Sequence, residues 1–305
     1  MSAYSRAKKK TTPKLPAIAA DRSGGAAEVA EALLAWAEGW AAGSPETPDE
    51  VIQDLVRLAR GQAALAPVLR IANDYLEVME RLEGFAEPGY RRSVGSAADR
   101  WRKRLAAAAE ALTLHVRRAL EGVPTVYTYS SSSTIQRALE AHADAGNWFR
   151  VVCSEARPGM EGVGLATALA ERGIPVLMGT DVWLLSAIEE EGIVLIGADA
   201  LLPTHWVNKL GTRLLAERAR AKGVRVVVGA DTSKWLPGAL ASLPRSYERD
   251  PAEITVDPPV SLEVANPYFE EIPYSELDQL ITERGPTRAK DLWIGEVPVA
   301  RALRG

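Results

Sequence analysis

Between Gly24 and about Gly122, apolar positions recur every three or four residues, and no stretch alternates as a half-buried strand would. Residues 26–42 are Ala-rich and apolar on one face. Pro48, with Thr47 or Asp49 before or after it as a cap, predicts a second helix running to about Arg60. A third is expected over 67–82. The longest is expected over 96–120, with Trp101, Leu105, Leu112 and Val116 on one face and Arg117 and Arg118 in the last turn, where cations suit the helix dipole. The period changes at Gly122-Val123-Pro124. Short β-rich runs (126–129, 149–153, 175–178, 193–197, 224–228) then alternate with helical ones (134–143, 162–171, 182–190, 211–222). Such alternation specifies an α/β chain with a mainly parallel, doubly wound sheet, whose ligands sit outside the carboxyl ends of the strands. Residues 236–268 are proline-rich and read as a long surface excursion, and 274–284 as a late helix. The chain therefore divides into a disordered tail over 1–15, a helical domain over 16–122 and an α/β domain over 123–305.

Composition narrows the function classes. A length of 305 residues with 47% hydrophobic residues suits two packed domains. No apolar run reaches the roughly 18 residues of a membrane span, and no secretory h-region opens the chain, so a cytoplasmic protein is expected. The net charge of -4 and a pI near 5.6 argue against direct nucleic-acid binding. The single cysteine, Cys153, precludes an internal disulfide and reads as a buried filler. His115, His142 and His205 have no ligand spacing, so no metal is expected; no cofactor is expected either.

Candidate chemistry lies at the strand ends. Ser130, Ser131, Ser132 and Ser133 follow the first strand and enter a helix. Hydroxyls and free N–H groups there either cradle a phosphate or over-cap the helix. After the second strand, Arg157 could hold an anion with Glu155 fixing it, or the two could form a surface ion pair. The Gly-rich run 159–164 fits neither the dinucleotide nor the P-loop spacing. Asp181 reads as the cap of the helix that follows it. Asp199 starts a loop, so capping explains it less well, and it is a candidate acid/base or sugar-hydroxyl partner. Asn208 and Lys209, at an expected helix start, are an amide clamp and a phosphate charge. Asp231 and Lys234 end the fifth strand at the same edge.

These blocks in this order resemble the family that joins the alpha, beta and delta subunits of eukaryotic initiation factor 2B to the isomerases of methylthioribose 1-phosphate and ribose 1,5-bisphosphate. The resemblance rests on Ser154-Glu155-Ala156-Arg157-Pro158, Gly197-Ala198-Asp199-Ala200 and Asn208-Lys209-Leu210-Gly211-Thr212. It extends to Asn266-Pro267-Tyr268-Phe269-Glu270, Ile281-Thr282-Glu283-Arg284-Gly285 and the early turn Asp21-Arg22-Ser23-Gly24-Gly25-Ala26. It implies a helical N-terminal domain packed on a Rossmann-like domain, a homodimer formed mainly through the latter, and a phosphorylated sugar or nucleotide bound between the two. It also implies ligand contacts from Arg22, Gly24 and Gly25 on one side and from Ser130 to Ser133, Arg157, Asn208 and Lys209 on the other.

In that family the isomerases pair the aspartate, here Asp199, with a cysteine at the end of the first Rossmann strand. That cysteine position falls on Ser130 or Ser131. An alcohol is a much poorer acid/base near neutrality, and the exchange is expected to cost on the order of 10²–10⁴-fold. Three readings follow: a sugar-phosphate binder with little or no isomerase activity, an active isomerase using Asp199, and a protein-interaction subunit.

Overall fold

The computed structural model describes residues 13–21, 24–84, 86–245, 247–291 and 297–304. Most of the tail expected over 1–15 lies outside them, as does Arg22. The described chain opens with α1 (Leu15–Ala20), a short helix absent from the periodicity reading, which buries Leu15 and Ile18. Next come α2 (Ala26–Ala41), α3 (Pro48–Gly61), α4 (Ala66–Arg81) and α5 (Glu87–Ala119). Thr47 caps α3 with Glu50 in reciprocal hydrogen bonds, and Pro48 stands in the first turn. Helix α5 starts well before residue 96. At Gly95 α5 meets α2: a Cβ there would lie 2.8 Å from that of Ala41. One apolar core, containing Leu33, Trp40, Leu55, Leu69 and Tyr75, joins these helices. The last described residues pack onto α4, where Asn73 accepts from Ala300 N–H at 3.0 Å.

The α/β half begins with β1 (Thr125–Thr128), α6 (Ser133–Asp144), β2 (Arg150–Ser154), α7 (Glu161–Glu171), β3 (Val176–Gly179), α8 (Asp181–Ala187) and β4 (Ile193–Ile196). It continues through β5 (Ala200–Leu201), β6 (His205–Lys209), α9 (Thr212–Ala221), β7 (Arg225–Gly229), β8 (Phe269–Pro273), β9 (Gln279–Thr282) and β10 (Gly285–Thr287). Seven strands form one sheet in the order β10-β9-β7-β4-β1-β2-β3. All its pairings are parallel except β10 with β9. Near-continuous runs such as Val226-Val227-Val228 suit strands covered on both faces, and separate cores lie on the two sides. From β1 the chain winds outward to β2 and β3, then returns to place β4 on the other side of β1. The carboxyl ends of β1 and β4 thus diverge at a topological switch point.

Two expectations are corrected. The late helix over 274–284 is instead a 3-10 turn (Tyr274–Glu276) followed by the β9–β10 hairpin. Leu280 and Ile281 fill the cores on opposite faces of the sheet, and Gly285 takes a φ of 102° that a helix cannot hold. The segment after Gly197, read as a loop leading to a helix, contains β5 and β6. These pair antiparallel with β8 as a second, three-stranded sheet. Asn208 and Lys209 therefore end a strand, two residues ahead of α9.

Candidate functional site

The switch point opens into a cavity of about 790 Å³ between the helices and the sheet edge. Its walls bring together Gly24, Gly25, all four serines of the 130–133 run, Asp199, Asn208, Lys209 and Lys234. Glu155 and Arg157 are not brought in: Glu155 is half-buried, Arg157 is exposed, and neither lines the cavity.

Ser130 follows β1 with a φ of 64°, a left-handed conformation that costs a serine roughly 1–3 kcal/mol. The turn aims its hydroxyl at Glu161, to which it donates at 3.0 Å. Ser132 caps α6 by accepting from Ile135 N–H at 3.4 Å. Among the described residues no acceptor closes the Ser133 and Thr134 amides, so the positive end of this twelve-residue helix faces the cavity. Gly197 permits the approach, because a Cβ there would come within 2.6 Å of Ser132 Oγ.

Two of the other strand-to-helix junctions are closed by the protein's own carboxylates. Asp181 accepts from the Ala156 and Arg157 N–H groups, both at 2.9 Å. It does not cap α8; Thr180 does. Glu270 accepts from Gly211 and Arg213 N–H at 2.8 and 2.9 Å, which seals the start of α9. Asn208 spends its amide on Thr212 Oγ1 at 2.9 Å. Lys209, with a side chain 3% exposed, pairs with Glu161 at 2.9 Å and lies 3.3 Å from the centre of the Tyr268 ring. Burial lowers the Lys209 ammonium from its ordinary range, and Glu161 opposes that shift.

Asp199 is fixed by its backbone, which donates to Val207 C=O at 2.8 Å and accepts from Ala66 N–H at 3.1 Å. Its carboxyl borders the cavity, and the residue is half-buried. Burial raises it from 3.8 to about 6; Glu161 pushes in the same direction, while Lys234, Arg249 and Lys209 pull it back. Lys234 sits on the 3-10 turn Thr232–Lys234, which Asp231 caps through Ser233 N–H at 2.8 Å. Glu283 accepts from both the amide and the hydroxyl of Thr232, and Arg70 of α4 donates to its carbonyl at 2.5 Å. Gly24 and Gly25 close the far wall, their amides held by Asp21 at 3.0 Å and Glu28 at 3.3 Å. Cys153 is remote from this chemistry: it is buried in the sheet core, and burial pushes its thiol up to about 11.

The residues missed from the sequence are Glu161, Tyr268 and Glu270. Glu161 was visible as the acid inside the Gly-rich run 159–164, and the other two belong to the Asn-Pro-Tyr-Phe-Glu block. Their roles depend on partners 31 to 59 positions away.

Residues 68–288 match the sequence profile of the Initiation factor 2 subunit family, well over half the chain. The chain belongs to that family. Within it, ribose 1,5-bisphosphate isomerase of Haloferax volcanii is 32% identical over 214 residues, covering 68% of this chain and 66% of that protein. The Methanocaldococcus jannaschii protein of the same name is 31% identical over 173 residues, or 55% of this chain and 56% of its own length. The matched region thus spans between about half and two thirds of these two relatives. The fold is that of the Pyrococcus horikoshii translation initiation factor eIF-2B (TM-score 0.76, 22% identity, covering 90% of this chain and 95% of that one). It is also that of 5-methylthioribose 1-phosphate isomerase from the same organism (TM-score 0.66, 18% identity, covering 91% and 84%). Among the described residues no helix is long and apolar enough to cross a membrane.

Proposed function

We propose that this family member binds a phosphorylated pentose, or the sugar-phosphate part of a nucleotide, in the switch-point cavity, and that it isomerises the sugar slowly or not at all. The observation that carries the reading is the open N-terminus of α6. It faces Asp199 and Lys234 across the cavity, while the neighbouring junctions are sealed by Asp181 and Glu270. A phosphate seated on the Ser133 and Thr134 amides meets the helix dipole and the serine hydroxyls together. The sugar then lies toward Asp199. Weak turnover follows from the serine, Ser130 or Ser131, that stands where the family resemblance implies an acid/base cysteine. The relatives named as ribose 1,5-bisphosphate isomerases favour a pentose over other sugars. A cytoplasmic homodimer belongs to the same reading, and the exposed apolar side chains Leu177, Met178 and Val182 beside the β3 edge supply a surface for it.

Ligand binding stabilises the folded state by mass action, so melting measurements test the proposal. Ribose 5-phosphate or ribose 1,5-bisphosphate at millimolar concentration should raise the melting temperature, and ribose alone should not. No response to any phosphopentose or nucleoside monophosphate refutes it. A second reading, an active isomerase, draws on the Asp199 carboxyl near 6, a value suited to moving protons at neutral pH. Turnover of a phosphopentose that Asp199→Asn abolishes would favour it.

A further inference from the structure

Lys209 and Ser130 both read from sequence as anion ligands, and they do converge at one point of the cavity wall. That point is already filled. Glu161 Oε1 accepts from Ser130 Oγ at 3.0 Å and pairs with Lys209 Nζ at 2.9 Å. The Tyr268 ring packs against the Lys209 ammonium, and its hydroxyl lies beside the same carboxylate next to Gly159. An ammonium, an alcohol and a phenol around one carboxylate form the donor set a phosphate would draw on. The local backbone is shaped to hold it. Met160 takes a φ of 55° just before α7, and a Cβ on Gly159 would stand 2.7 Å from Glu161 Oε2 and 2.9 Å from the Tyr268 hydroxyl. The Glu161 side chain is 22% exposed and the Lys209 side chain 3%, so solvent screens the pair weakly.

We propose that Glu161 is a specificity-determining residue. It occupies the Lys209–Ser130 anion position from within, so that the ligand presents a neutral hydroxyl there and carries a single phosphate at the N-terminus of α6. The proposal rests on the phosphopentose reading above. A second phosphate at this wall would face the Glu161 carboxylate with its attraction to Lys209 already spent. Like charges set side by side in a site of low dielectric exclude one another. The singly phosphorylated sugar avoids that conflict, since a hydroxyl can donate to Glu161.

Titration calorimetry with ribose 5-phosphate and ribose 1,5-bisphosphate, on the wild type and Glu161→Gln, decides the matter. The wild type should bind the monophosphate at least as tightly as the bisphosphate. Glu161→Gln keeps the side-chain shape and frees Lys209, so it should tighten the bisphosphate by about 10-fold or more and change the monophosphate far less. Adding Lys209→Met to Glu161→Gln should remove that gain. A wild type that prefers the bisphosphate by 10-fold overturns the proposal, as does a folded Glu161→Gln protein with no gain. Inorganic phosphate separates this outcome from failure of the phosphopentose reading. It should raise the melting temperature of Glu161→Gln more than that of the wild type even if neither sugar phosphate binds, and an equal response overturns the role of Glu161.

Discussion

Replacing Asp199 by asparagine isolates the cost of holding a carboxyl group in the cavity. The folded protein raises this group from 3.8 to about 6. A shift of that size, at about 1.36 kcal/mol per unit, amounts to roughly 3 kcal/mol of disfavoured ionisation near neutral pH. The sign follows from proton uptake. Between pH 4 and 6 the folded state holds the proton more tightly than the unfolded state, so stability from this group is complete below 3.8 and lost as pH rises through about 6. Asparagine has the same shape and no charge to lose. Asp199→Asn should therefore equal the wild type near pH 4 and exceed it by about 3 kcal/mol at pH 7.5, or roughly 6 °C in melting temperature for a chain of this size. Scanning calorimetry of both proteins from pH 4 to 7.5 measures the gap, and subtraction cancels the other titrating groups they share. Parallel curves, or a variant less stable than the wild type at pH 7.5, would show that the cavity does not penalise the Asp199 charge. The residue would then lose its claim to a proton-transfer role. A group kept at such a cost fits the trade of stability for function expected at a site.

Two more substitutions probe the surroundings. Ser130→Cys puts a thiol at the strand end where the resemblance implies one, and should raise phosphopentose turnover by about 10²-fold or more. Nuclear magnetic resonance of the sugar products reads the rate, and an unchanged rate in a folded variant would remove Ser130 as the reason for weak activity. Gly162→Ala would set a Cβ 1.9 Å from the Ser154 carbonyl oxygen, in backbone that cannot give way. It should cost about 3 kcal/mol or more by overpacking where α7 leaves β2; denaturant unfolding checks this, and a loss below about 1 kcal/mol would mean that the α7–β2 contact is looser than drawn.

Periodicity alone determined much of this protein. The helices that became α2 to α4 and the five core strands are local patterns, each set by side chains a few residues apart. The sequence also placed the serine run and Asp199 at strand ends, because a doubly wound sheet puts its ligand edge there. What it could not settle were features that depend on pairing. Residues 274–284 read as a helix, but β7 offers Val227 and Val228 as partners to Gln279 and Leu280, and sheet pairing prevails. Residues 200–209 become strands only because β8, some sixty positions on, completes their sheet. The same holds for charge. Arg157, Asn208 and Lys209 looked alike as anion ligands, yet Arg157 lies outside the cavity, Asn208 is spent on Thr212, and Lys209 is neutralised by Glu161. Residue type and strand-end position are written locally, whereas whether a donor is free depends on which distant carboxylate the fold brings against it.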